Sequence, residues 1–338
     1  MSADSKKRTI IKVLIVIFTI LALTGFGLIL QTFLRQSGEK KQTQQRITDL
    51  KEQIAKEQTQ LEKLQKKEDV LTVQIKQKVE KKQNPAVTVQ EGLDTLPELQ
   101  AQVENYLQEQ SGTWSVYIKN LSTQEAMLYN TQPLKSASLM KLYIMGAVYD
   151  QIEQGNLEKN QEIINLLNNM ITVSDNDAAN QLTEYLGGDA GFENGAMIVN
   201  NYIVANNYSD TFFAHDFQAE RSELPEKENM TSALDCGRFL ENIYKNAVVS
   251  QEASQEMLGL LKQQQRRNKI PAGLREDAVC ANKTGEVTGT ENDVAIVYGS
   301  NGINYVICIL SQDVDNINAQ NVIKELSAQV YDYFVGTE

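Results

Sequence analysis

The sequence predicts an α/β (α+β) domain, an antiparallel β-sheet flanked by helices, carried behind an apolar N-terminal helix and a coiled coil. Three observations carry that expectation. Residues 13–30 are 18 consecutive uncharged, mostly apolar residues. Residues 46–82 hold few helix breakers and keep a heptad repeat. From residue 96 onward the patterns run helix, two strands, a helical block, three strands, helix, an order that folds as a sheet covered by helices.

The apolar run is about 27 Å long as a helix, just enough to cross a hydrocarbon core. Lys6, Lys7, Arg8 and Lys12 precede it, which directs the N-terminus to the cytoplasm. No convincing small-residue cleavage site follows, so an uncleaved signal-anchor is expected over a removed signal peptide. No cysteine follows the run to carry a lipid. Residues 1–31 are therefore read as a cytoplasmic tail and transmembrane anchor. In the heptad, positions a fall at Ile47, Ile54, Leu61, Glu68 and Ile75, and positions d at Leu50, Glu57, Leu64, Leu71 and Lys78. The polar members make a weak seam, so a weak homo-oligomer is expected, with a solitary spacer helix as the alternative. Fully helical, this segment would reach roughly 55 Å. Pro85 and Gly92 mark a linker at residues 83–95, which makes residues 32–95 a stalk and residues 96–338 the globular domain.

In that domain, Leu99, Val103 and Leu107 have helical spacing behind Pro97. Residues 114–119 and 125–129 read as a hairpin around Leu121-Ser122-Thr123. Residues 136–250 are helical and loop-rich, with a long irregular stretch at 206–229. Pro271 and Gly273 return the chain to strands at 279–286, 293–298 and 305–311. A closing helix is expected at 318–334.

Charge divides along the chain. Residues 1–85 carry 17 Lys and Arg against 9 Asp and Glu, and the remainder carries 15 against 35. An acidic globular domain argues against a nucleic-acid partner. Cys236, Cys280 and Cys308 are odd in number, and the last two sit in apolar strand-like runs, so buried free thiols are expected. No metal-ligand spacing is present, and neither a metal nor a cofactor is predicted. His215, the one histidine, lies in a polar loop and is read as incidental.

Three short motifs carry the chemistry. Ser138-Leu139-Met140-Lys141 sets a hydroxyl and an amine one helical turn apart, on one face, where the amine can activate the hydroxyl as a nucleophile. Ser174-Asp175-Asn176 offers a second hydroxyl and an amide. Lys283-Thr284-Gly285 offers another cation and hydroxyl on a strand. S-x-x-K, S-D-N and K-T-G, in this order, are the signature of class A β-lactamases and penicillin-binding proteins. Residues 136–150, 170–182 and 283–297 further resemble that superfamily's nucleophile-bearing helix, its S-D-N segment and its active-site edge strands, and the likeness covers about residues 96–334.

The resemblance implies a three-layer fold and acyl transfer through an acyl-Ser138 intermediate. Lys141 would be the base or proton relay, and Ser174 would pass a proton to the leaving amine. Asn176 would hold Lys141 or the substrate amide. Lys283 and Thr284 would grip a substrate carboxylate, and the backbone N–H groups of Ser138 and Glu286, the residue after Gly285, would form the oxyanion hole. The substrate class implied is a β-lactam or a cell-wall peptide ending in D-amino acids, handled outside the bacterial membrane. A penicillin-binding D,D-carboxypeptidase or endopeptidase, and a non-turnover cell-wall sensor or scaffold, are the alternatives.

Three departures stand out. The loop between S-D-N and K-T-G lacks the E-x-x-L-N context of the class A deacylation base, and residues 215–229 leave Glu220 and Glu223 as candidates by position. The superfamily's basic residue beyond K-T-G is absent, since residues 299–309 contain no Arg or Lys. The segment between Lys141 and Ser174 is short, which predicts a cleft with one open wall. Efficient acylation with slow turnover is the consequence expected.

Overall fold

The computed structural model describes residue 51, residues 95–217 and residues 228–336. The predicted anchor, all of the coiled coil but Lys51, Glu220 and Glu223 lie outside the described residues. Among the described residues no helix is long and apolar enough to cross a membrane.

Helix α1 (Pro97–Gln108) leads into strands β1 (Thr113–Asn120) and β2 (Ala126–Tyr129), then the short β3 (Leu134–Lys135). A helical block follows: α2 (Met140–Glu153), α3 (Gln161–Thr172), α4 (Asn176–Gly187) and α5 (Gly191–Ala205). After the two-residue β4 (Met230–Thr231) come α6 (Ala233–Tyr244) and α7 (Gln251–Lys262). Strands β5 (Val279–Val287), β6 (Thr290–Tyr298) and β7 (Asn304–Gln312) and helix α8 (Asn316–Val335) complete the chain. The strands form a five-stranded sheet in the order β2-β1-β7-β6-β5, each neighbouring pair antiparallel, while β3 pairs with β4 alone.

Both faces of the sheet are buried, and alternation along each strand divides the core in two. Val294, Ile296, Val306 and Cys308 face the helical block, while Ala295, Val297, Ile307 and Ile309 face α1 and α8. The result is three layers. The three cysteines are buried free thiols, as expected from their apolar neighbours.

Helix α2 sits at the centre of the helical block. Every residue from Met140 to Tyr149 is buried, which fits a helix that is apolar on all sides. One glycine lets a neighbour come close: a Cβ on Gly146 would lie 2.5 Å from the Tyr202 hydroxyl. Lys141 is the exception to the apolar run, a buried cation at the start of the most enclosed helix. Its burial is the first structural sign of a site.

Four strands, β1, β5, β6 and β7, begin or end beyond their predicted limits. The clearest is β6, which begins at Thr290 and not at residue 293. Thr290, Glu291 and Asn292 read as polar turn residues, yet all three are buried, and other elements satisfy the side chains of the last two. Glu291 takes hydrogen bonds from Lys269, Asn316 and Gln320, and Asn292 donates to the carbonyl of Lys135.

Candidate active site

The three motifs meet at one end of the sheet. Ser138 lies in a 3-10 turn, Ala137–Leu139, that leads directly into α2. The turn is entered through Ala137, whose φ of 45° is a left-handed value that costs a non-glycine residue energy. This bend presents Ser138 to solvent while α2 stays buried. Strand β5 runs close against the turn. A Cβ on Gly285 would lie 2.6 Å from the Ser136 carbonyl oxygen and 3.0 Å from the Leu139 nitrogen, so only glycine lets the strand approach.

The S-D-N triplet occupies the link between α3 and α4. Asp175 caps α4 by accepting from the Ala178 N–H at 2.7 Å. Ser174 is not a cap. Its φ of 62° is left-handed, and its hydroxyl turns toward the two lysines.

The side chains converge on Lys141. Its Nζ donates to Ser138 Oγ at 3.1 Å, to the Ser174 carbonyl at 2.7 Å, to Ser174 Oγ at 3.3 Å and to Asn176 Oδ1 at 2.7 Å. Lys283 Nζ donates to the same Ser174 Oγ at 2.9 Å and to the Thr284 carbonyl at 2.7 Å. Ser174 therefore bridges two buried ammonium groups. Burial pushes Lys141 down to about 7, with the Arg266 cation acting the same way and Asp175 opposing it. Burial, then the nearby Lys141, Lys269 and Arg266 cations, holds Lys283 well below the usual lysine value, with Asp293 opposing. Thr284 Oγ1 is buried and makes no hydrogen bond among the described residues.

Ser138, Ser174 and Asn176 line a cleft of about 320 Å³ together with Lys135, Ala137, His215, Asp216, Phe217, Glu228, Asn229, Arg266, Glu286 and Val287, with Lys141 and Lys283 buried behind them. Several of these were missed by sequence reasoning. Arg266 comes from the loop before β5 and forms an ion pair with Glu286 at the mouth. It supplies a basic residue on the near side of K-T-G, where the sequence offered none on the far side. His215 was expected to be incidental, yet it lines the cleft. Its Nδ1 lies 2.6 Å from the Asp216 carbonyl, and its Nε2 lies 3.6 Å from Glu228, which also pairs with Lys135. Phe217 lays its ring 4.8 Å from Lys141 Nζ, and its own N–H is fixed by Asn180 Oδ1 at 3.0 Å. No sequence motif marks these residues, because a loop and a sheet edge bring them together only in the fold. The arrangement, a hydroxyl beside an amine poised near neutrality, suits general-base activation of a serine nucleophile.

The model of the β-lactamase enzyme family matches residues 98–165 and 158–334. The chain belongs to this family. Its helices are arranged around an antiparallel sheet in the β-lactamase-like manner. A stretch of 172 residues, 49% of the chain, is 26% identical to β-lactamase FAR-1 of Nocardia farcinica and covers 52% of it. The chain thus spans about half the length of that relative. Among solved structures, PBP-A superposes with a TM-score of 0.62 at 22% identity, covering 71% of this chain and 96% of that one. A penicillin G acyl-enzyme complex of a PBP-A mutant matches equally, at 0.62 and 22%, over 71% and 97% of the two chains. The TLA-1 extended-spectrum β-lactamase matches with a TM-score of 0.63 at 18% identity, over 71% and 99%. At these identities the structural matches establish the fold.

Proposed function

We propose that this protein is a membrane-anchored, extracytoplasmic serine hydrolase that transfers acyl groups from β-lactams or related cell-wall peptides to Ser138. Residues 1–31 would hold it in a bacterial membrane, residues 32–95 would form a stalk that self-associates weakly, and residues 96–338 would carry the chemistry. The observation that carries the reading is the contact set of Lys141, a buried amine within hydrogen-bond reach of both Ser138 Oγ and Ser174 Oγ.

The chemistry follows from that contact. Neutral Lys141 takes the Ser138 proton as Oγ attacks the substrate carbonyl. The backbone N–H groups of Ser138 and Glu286 receive the developing oxyanion. The proton passes through Ser174 to the leaving nitrogen, and Lys283 beside it biases the Ser174 hydroxyl toward donation. Lys283, Thr284 and Gly285 hold the substrate carboxylate at the strand edge, with Arg266 within reach at the mouth. Asn176 holds Lys141 and faces the substrate amide.

Turnover is a separate matter. Hydrolysing the acyl-enzyme needs a base to activate water, and the group that residues 215–217 set against Lys141 is the Phe217 ring, 4.8 Å from Nζ, which accepts no proton. This observation favours slow deacylation, and with it the penicillin-binding D,D-carboxypeptidase or endopeptidase over an efficient β-lactamase. Burst kinetics on a chromogenic cephalosporin test the point. A burst near one equivalent followed by a nearly flat line is expected. Fast linear turnover that disappears in Glu220→Gln or Glu223→Gln would restore the β-lactamase reading.

A further inference from the structure

Behind the K-T-G strand, on the face of the sheet away from Ser138, lies a buried charged cluster that the chemistry above does not use. Lys269 and Glu291 are both buried and form an ion pair at 2.7 Å. Glu291 is completed by the amides of Asn316 and Gln320 on α8, at 2.9 Å and 3.0 Å. That pair is neutral in sum. Asp293 is left over. It is fully buried, and its carboxylate accepts from the Ile270 N–H at 3.0 Å and from Asn282 Nδ2 at 3.0 Å. Both donors are neutral, so nothing at hydrogen-bond distance cancels its charge.

Lys283 is the complementary case. It is fully buried, and its Nζ donates to two neutral oxygens, Ser174 Oγ and the Thr284 carbonyl. The register makes these two residues diagonal neighbours on adjacent strands. Asp293 is the direct partner of Thr284, and Val294 is the partner of Lys283. Side chains alternate along a strand, so Asp293 projects behind the sheet and Lys283 in front of it. Opposite charges attract through a dry sheet, and among the charges bearing on Lys283 Asp293 is the one anion, set against three cations.

We propose that Asp293 is a positioning residue for Lys283, its buried carboxylate sustaining the ammonium charge with which the strand edge binds a substrate carboxylate. This rests on the acyl-transfer reading above and names a residue that acts through Lys283, without touching substrate. The titratable groups near Asp293 are Lys269 from the loop before β5, Cys280 on β5 and Glu291 on β6 behind the sheet, with Lys283 on β5 and Cys308 on β7 projecting from its front face. Burial pushes Asp293 up to about 6, against the opposing pull of Lys269 and its hydrogen bonds. It is therefore ionised at neutral pH, when Lys283 most needs an anion. Both thiols are pushed up by burial and stay neutral there.

The test compares penicillin G with its methyl ester, which lacks the carboxylate, as acylating agents of the full chain between pH 6 and 9. Asp293→Asn is expected to lower the carboxylate-over-ester preference about tenfold at pH 8, the effect of one pKa unit at Lys283, and to move the alkaline limb for penicillin G to lower pH. Equal slowing with both agents, or an unchanged preference, would overturn the proposal by making Asp293 merely structural. Should Asp293→Asn fail to fold, Asn282→Ala serves. It removes a donor to the ionised carboxylate and should shift the preference in the same direction by a smaller factor. An unchanged preference there overturns the proposal equally. Failure of the wild-type protein to label with either agent would instead strike the acyl-transfer reading.

Discussion

In the proposed chemistry Lys141 is the base, and its place in the fold is what fits it to that role. A solvated lysine is protonated at neutral pH and cannot accept the Ser138 proton. Burial at the start of α2 brings it down to about 7, so a large share is neutral at working pH. The acylation rate should therefore rise about tenfold per pH unit below about 7 and level off above it, as stopped-flow labelling with a fluorescent penicillin would read. Lys141→Ala should cost ~10²-fold or more in that rate. Ser138→Ala should abolish covalent labelling in a folded domain. Phe217 is the residue-scale counterpart for the second half-reaction. Phe217→Glu sets a carboxylate beside Lys141 and should shorten the acyl-enzyme lifetime by ~10²-fold, the usual contribution of a well-placed base. An unchanged lifetime would mean that the ring is not what limits turnover.

At the scale of elements, the site depends on how closely β5 meets the turn before α2. Gly285→Ala must push the Ser136 carbonyl or the strand aside, since its Cβ would sit 2.6 Å from that oxygen. Overpacking of this kind costs ~1–3 kcal/mol. The labelling rate should fall by at least tenfold while a modest drop in Tm shows that the domain remains folded. A Gly285→Ala protein that labels at the wild-type rate would show that the approach of β5 is not needed. The same elements explain what the sequence made legible. The apolar run after Ser138 marks a buried helix, and the near-continuous apolar runs of β6 and β7 mark strands covered on both faces. The start of β6 was not legible, because Glu291 and Asn292 are polar residues buried by partners more than a hundred residues away or on another element. Phe217 and Arg266 were not legible for a related reason. Neither belongs to a motif, and each gains its meaning from the lysine or glutamate that the fold brings to it.

Over the whole molecule, the site is held at a cost in stability. Lys141 has a depressed value in the folded state and an ordinary one when unfolded, so the unfolded chain binds more protons between about 7 and 10.5. Stability should therefore rise with pH across that window, by up to ~1.4 kcal/mol per unit for this group, and be lost as pH falls through about 7. Lys141→Met should remove much of that slope and stabilise the domain at pH 7, which denaturant unfolding at pH 7 and pH 9 would read. A slope unaffected by the substitution would contradict the burial argument. The N-terminal region carries its own expectation. A fragment of residues 46–82 should be helical and self-associate weakly, because Glu57, Glu68 and Lys78 interrupt the seam. Sedimentation as a monomer at high concentration would favour the solitary spacer.

The central claim is a long-lived acyl group on Ser138, and intact-protein mass followed over time after mixing with penicillin G tests it most directly. The account predicts a single adduct of one penicillin that forms within the mixing time at pH 8, persists for minutes or longer and is absent from Ser138→Ala. No adduct at any time, or an adduct retained in Ser138→Ala, would contradict it.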